Sequence, residues 1–226
     1  MDEKHYRLLT RTAIVLTVAW VGWTLVDSGI LEREPGAYEL DAARKNLEDG
    51  RYNEALVLYR AAFDENAENL GALRGMAQAL MAMGTEAQQS ALTAPKSAAE
   101  MSARALDYHT QALNLYNEAI KREEEREITP IRQRILGVAY ANRGILRDRM
   151  GDHYGALSDY GKASLLEPKV AEGPGFLIRF MRNQTERPPT IADRARYLKA
   201  ELSKPEDERL LKMPALDARQ RAYSMD

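Results

Sequence analysis

The sequence predicts an all-α protein: an α-solenoid of about three helix pairs, with an N-terminal transmembrane helix and a helical or extended C-terminal arm. Three observations lead there. An uncharged run opens the chain, a Gly/Ala/Tyr/Ala pattern recurs at fixed offsets in two later blocks, and a long stretch between them carries apolar residues every three or four positions. Composition closes off other classes. Of 226 residues, 45% are hydrophobic and 29% charged, which is ample for a real core. The absence of cysteine excludes a disulfide framework, a thiolate metal site and a cysteine nucleophile. Three scattered histidines, His5, His109 and His153, do not build a metal centre. Lys and Arg number 32 against 34 Asp and Glu, so nucleic acid has no electrostatic footprint to read.

The first element is the apolar run. Thr12 to Val26 holds fifteen residues without a charge, and Leu8 to Val26 makes nineteen if Arg11 is allowed. Nineteen helical residues span roughly 28 Å, close to the ~30 Å hydrocarbon core of a bilayer. Arg11 lies one turn inside the start, where its guanidinium can snorkel to the headgroups, and Trp23 suits the far interface. Residues 8–26 are therefore expected to contact the bilayer. A buried soluble helix is disfavoured because the apolar residues run all round the helix. A cleaved signal peptide shares the charged start and apolar run, but Val26-Asp27-Ser28 is a poor imitation of a cleavage site. The reading is a retained signal anchor, residues 1–31. Lys4, Arg7 and Arg11 precede the span, while Asp27, Glu32 and Glu34 outnumber Arg33 after it. The positive-inside rule then leaves the N-terminus cytoplasmic and the rest extracytoplasmic, which in a bacterium means inner membrane and periplasm.

The second element is a repeat. The block Gly50-Arg-Tyr-Asn-Glu-Ala55-Leu-Val-Leu-Tyr59-Arg-Ala-Ala62 aligns with Gly151-Asp-His-Tyr-Gly-Ala156-Leu-Ser-Asp-Tyr160-Gly-Lys-Ala163, with Gly, Ala, Tyr and Ala at identical offsets. This resembles the tetratricopeptide repeat, a helix–turn–helix unit of 34 residues. The resemblance implies small residues where two helices cross and a larger one filling the gap between units. It places Gly144, Ala156 and Ala163 in the small positions of one copy, with Tyr140 and Tyr160 as fillers and Pro168 closing the unit. In the first copy Ala43, Ala55 and Ala62 match, Tyr59 is the filler and Ala67 stands where the closing Pro would be. A middle copy is split. Leu73, Met76, Ala77, Leu80 and Gly84 fit its first helix, whereas Ala112, Tyr116 and Ala119, from its second, come 23 residues late. The insertion is placed at about 85–107. A long amphipathic helix follows from about Ser97 to Arg126, with Met101, Ala105, Tyr108, Ala112, Tyr116 and Ala119 as its buried stripe. Its charged end, Lys121 to Arg126, reads as solvated, and Thr129-Pro130 as the N-cap and first residue of the next helix.

One helix pair cannot bury its own apolar face, so such units stack in series and need caps. The solenoid is expected over 36–183, with Gly175 to Met181 in a capping helix at about 173–183. Residues 184–226 form the arm. Thr190 and Asp193 make a capping-box-like start, Ile191, Tyr197, Leu198 and Leu202 give an apolar side, and Leu210, Leu211, Leu216 and Tyr223 follow. These pieces are expected to order on a partner or fold back over the solenoid.

No constellation for chemistry stands out. His153 falls in a turn where solvated polar residues are usual, His109 lies beside Tyr108, and spacing gives neither a Ser or carboxylate partner. No phosphate loop, zinc helix motif or calcium loop is present. No catalytic residue, cofactor, metal or small-molecule substrate is expected, and a hydrolase hidden in the insertion is the weakest of the functional readings. The resemblance instead implies a partner-binding groove lined by the first helices. Its positions fall on Leu40, Arg44, Leu47 and Glu48 in the first unit, on Arg74, Gln78 and Met81 in the second, and on Val138, Ala141, Ile145, Asp148 and Arg149 in the third. Members that clamp a chaperone's C-terminal carboxylate carry Lys and Asn at positions held here by Leu40, Arg44, Gly75, Val138 and Asn142. Only Arg44 supplies a suitable cation, which argues against that role. The leading expectation is a non-enzymatic scaffold, an accessory subunit of a membrane protein complex. The alternative is an assembly factor or chaperone-like adaptor for envelope protein biogenesis or secretion.

Overall fold

The computed structural model describes residues 3–27, 34–173, 189–213 and 222–223. Every regular element among them is helical. Helix α1, Glu3–Asp27, is continuous and buries no residue. Among the described residues it is the one helix long and apolar enough to cross a membrane, with a mean hydropathy of 1.5 over its best window. Thr12 and Thr17 return their hydroxyls to the carbonyls of Leu8 and Ala13 at 3.0 and 2.9 Å, so their polar atoms are satisfied within the helix.

Six further helices form three pairs. The first is α2 (Ala37–Glu48) with α3 (Tyr52–Glu65), the second α4 (Leu70–Thr93) with α5 (Ala98–Glu124), the third α6 (Pro130–Met150) with α7 (His153–Leu166). Connections of two to five residues make successive helices antiparallel neighbours. Each helix packs on the next, and α2 also touches α4 while α4 touches α6. The first helices of the three pairs therefore stand side by side and form one continuous face.

Local chemistry fixes the turns. The two glycines of the repeat, Gly50 and Gly151, both adopt positive φ, at 78° and 87°. A residue in that left-handed conformation lets the chain leave one helix and enter the next, and glycine does so without a Cβ penalty. Side-chain caps start α4, α6 and α7. Asn69 accepts from the Ala72 amide, Thr129 from that of Arg132, and Asp152 from that of Gly155.

The second pair is longer than its neighbours. At about 1.5 Å per residue, α4 and α5 reach ~36 and ~40 Å, against ~21 Å for α3. Residues 85–107, read from the sequence as an insertion, continue both helices as the far half of this hairpin, where Ala87 and Ala105 are buried.

Two core clusters result. One gathers Ala43, Ala55, Tyr59, Leu70, Leu73, Met76, Ala79 and Ala119 around the first pair. The other runs from Ala77 and Met81 through Tyr116, Tyr140 and Ile145 to Ile191 and Leu198. The latter two belong to α9 (Ile191–Leu202), which packs on α7 and on the short α8 (Pro168–Glu172). Residues 174–183 of the expected capping helix lie outside the described residues. Among those described, α9 covers the last pair.

Candidate partner-binding groove

The crossings between helices set the spacing of the groove. Ala43, Ala55, Ala62, Ala77, Ala112, Ala119, Ala156 and Ala163 are all buried, as are Tyr59, Tyr116 and Tyr160. Pro168 is exposed and opens α8 at its first position. The rings need glycine opposite them. A Cβ on Gly75 would sit 2.3 Å from the Tyr59 ring, and one on Gly144 would sit 2.7 Å from that of Tyr160. In the second pair the ring against glycine is His109, 2.3 Å from where a Gly84 Cβ would be. Burial lowers the His109 pKa to about 4, with the Arg149 charge acting in the same direction.

Along the face made by α2, α4 and α6, the groove positions fall into two groups. At the first-pair end, Arg44 and Glu48 are exposed, while Leu40 and Leu47 are half-buried against the first core. Arg44 lies 3.7 Å from Asp41, an exposed pair of small energetic consequence. In the middle, Gln78 is half-buried and Arg74 bonds Glu123 at 3.0 Å. Burial lowers the Arg74 pKa even with that carboxylate beside it. At the far end Met81, Val138, Ala141, Ile145 and Asp148 are buried, and Arg149 donates to the Thr85 hydroxyl at 2.7 Å.

What covers the far end is the chain's own C-terminal region. Arg194 of α9 grips Asp148 with both prongs, Nε to Oδ2 at 2.6 Å and Nη2 to Oδ1 at 2.9 Å. The same carboxylate meets His153 Nδ1 at 2.9 Å and the Tyr160 hydroxyl at 3.4 Å. Arg194 also donates to the Leu211 carbonyl, and Tyr197 to that of Leu210. Ala222 and Tyr223 then pack against the core cluster that holds Met81, Ala141 and Ile145. Asn142 bonds the Tyr223 main chain twice. Its amide nitrogen donates to the Tyr223 carbonyl at 3.0 Å, and its oxygen accepts from the Tyr223 amide at 2.7 Å.

Three features escaped sequence reasoning. His153 is buried against Asp148 instead of solvated in its turn. The charged end of α5 is only partly solvated, since Glu123 is buried between Arg74 and Arg132 and Glu124 accepts from the Tyr140 hydroxyl. Asp159, 1% exposed, is held by Arg143 through two bonds of 2.7 and 2.8 Å and by Arg147 at 3.0 Å. A signal for the last was present. Where the first copy has Ala42, Asn46, Leu47 and Leu58, the third has Arg143, Arg147, Asp148 and Asp159. Apolar or neutral positions have become two cations and two anions, a balanced set that can be buried only as pairs.

No curated protein and no solved structure matches the chain. Residues 46–100 match the family model of the tetratricopeptide repeat. That stretch takes in the end of α2, all of α3 and α4, and the start of α5, and the spacing of its small residues recurs in α6 and α7. The stack of paired helices is thus an all-α solenoid like that of tetratricopeptide repeats, with the family match itself carried by residues 46–100.

Proposed function

We propose that the chain is a membrane-anchored, non-enzymatic scaffold, an accessory subunit of a membrane protein complex. Helix α1 spans the bilayer with its N-terminus cytoplasmic, and the solenoid over 36–183 presents its groove on the extracytoplasmic side. The observation that carries this reading is the pairing of a wholly exposed apolar helix with a stack of repeats whose first helices share one face. An exposed apolar surface the length of α1 has no stable place in water, whereas a bilayer satisfies it. A continuous face of mixed apolar and charged side chains suits a helix or extended peptide of a protein partner. At the open end Leu40, Arg44 and Leu47 make first contact, with Arg74 and Gln78 beyond them.

Two measurements test the proposal. Membranes washed with alkaline carbonate should retain the chain, and protease added from the extracytoplasmic side should digest residues beyond 34. Co-purification in mild detergent should then yield a partner at fixed stoichiometry. A chain released by carbonate, or recovered alone from mild detergent, overturns the reading.

A further inference from the structure

The geometry points to a groove already occupied by a stand-in for its ligand: the chain's own Ala222-Tyr223, seated on α6, marks the site where a partner's extended, aromatic-bearing segment binds in its place. This rests on the groove being the partner-binding face, and it names the chemistry of the partner and the regulation of that site.

The contact with Asn142 has the form of a recognition contact. One side-chain amide meets both the N–H and the C=O of a single residue, at 2.7 and 3.0 Å. Those two groups point the same way only when that residue is extended, as in the reciprocal bonding of paired strands. The amide therefore reads backbone shape and leaves side-chain choice to the surroundings. Those surroundings select an aromatic ring. Tyr223 packs against the larger core cluster, which runs from Ala77 through Tyr140 to Leu198, and its hydroxyl oxygen accepts from the Ile191 amide at the start of α9, at 3.4 Å. Ala222, the small residue before it, packs on the same cluster. The occupant is thus defined as an extended segment with a small residue followed by Tyr or a similar ring.

The way the segment is held separates it from the solenoid proper. Among the described residues the third pair is also covered by α5, by α8 and by α9, whose Ile191 and Leu198 are fully buried and whose Arg194 grips Asp148. The tail can leave while α9 stays. A tethered segment acts at an effective concentration of roughly millimolar, so a free competitor must overcome it. Disabling the tail should raise affinity for a free segment roughly ten- to a hundredfold.

The test uses the full chain in detergent micelles and a labelled peptide of residues 216–226, followed by fluorescence anisotropy. The Tyr223→Ala chain should bind this peptide at least tenfold more tightly than the unaltered chain. Adding Asn142→Ala to it should abolish the gain, as should placing Tyr223→Ala in the peptide. With the unaltered chain, excess peptide should speed hydrogen exchange at residues 222–223 without changing helix content. Equal binding by the Tyr223→Ala and unaltered chains overturns the inference, as does indifference to Asn142→Ala or unchanged exchange. Cross-linking of Tyr223 to a second copy in the unaltered protein would also overturn it, because the tail would then belong to a swapped dimer. Peptide binding without a partner in native membranes would sink the membrane-complex reading alone, and a partner bound irrespective of Tyr223 would sink this one alone.

Discussion

The first and third helix pairs share their skeleton and differ in how they are locked. Both turn on a positive-φ glycine, and both bury alanines and a tyrosine at matching offsets. In the first pair Tyr59 leans on Gly75 of the following helix, and the described core is apolar. In the third pair Tyr160 leans on Gly144 within its own pair, and Asp148 and Asp159 are buried among Arg143, Arg147 and Arg194. A following repeat supplies apolar surface to the pair before it. Among the described residues the last pair is followed by α8, α9 and the tail, and a buried ionic network joins α9 to it. Such a network adds little net stability over an apolar core, but it penalises any other way of seating the helix.

The largest expected effect breaks that network. Asp148→Ala leaves Arg194 and His153 facing each other without their anion, and should cost about 3–5 kcal/mol in chemical unfolding. Leu47→Ala, at the matching place in the first pair, should cost only about 1–2 kcal/mol because Leu47 is half-buried. Similar losses at both sites would erase the distinction between an ionic and an apolar lock.

The pair between them supplies a pH probe. His109 fills the ring position against Gly84, and its folded pKa lies near 4, below the usual 6.5. The unfolded chain takes up a proton between those values that the folded chain refuses. The contribution to stability is therefore complete above pH 6.5 and is lost as the pH falls toward 4, by about 3 kcal/mol in all. His109→Phe, which keeps a ring against Gly84, should flatten urea-midpoint stability across that window. A slope unaltered by the substitution would place the titration elsewhere.

A smaller effect sharpens the contrast in ring placement. Gly144→Ala pushes a methyl toward the Tyr160 ring and the Asp159 Cβ, and should cost about 1–3 kcal/mol. The first pair carries Ala43 at the matching place without strain, because Tyr59 is turned onto Gly75. Moving the methyl there, as Gly75→Ala, should restore the penalty in the first pair. Thermal melts that tolerate Gly75→Ala would show that Tyr59 has another rotamer to use.

Periodic features were legible in the sequence and paired ones were not. Ala55, Tyr59, Ala156 and Tyr160 announce the repeat because each position depends mainly on its own helix face. The Thr129-Pro130 start of α6 and the Thr190 start of α9 were legible for the same reason, since a cap bonds within three residues. Asp148 was assigned to the groove by transfer from the repeat, but its partner Arg194 lies 46 positions away. Nothing local in either residue names the other. Asn142 was noted only as a position that fails to clamp a carboxylate, while its bond to Tyr223 spans 81 positions. Sequence reading could foresee a tail that folds back, but not which amide receives it.

The smallest effect tests whether the two pairs start their second helices with equal strength. Asp152 caps α7 by accepting from the Gly155 amide at 2.9 Å, whereas Arg51, at the matching place, gives α3 no side-chain cap. Arg51 instead bonds Asn46 and Asp49 at 2.6 Å each, on the surface, where such contacts contribute little. Asp152→Ala should therefore cost about 1 kcal/mol, and Arg51→Asp should gain about 0.5–1 kcal/mol by giving α3 the cap that α7 already has. Hydrogen exchange at the α3 and α7 amides reads the two ends separately. If Arg51→Asp left exchange in the first turn of α3 unchanged or faster, its surface bonds would be holding that turn as firmly as a cap does, and the two pairs would differ only in their cores.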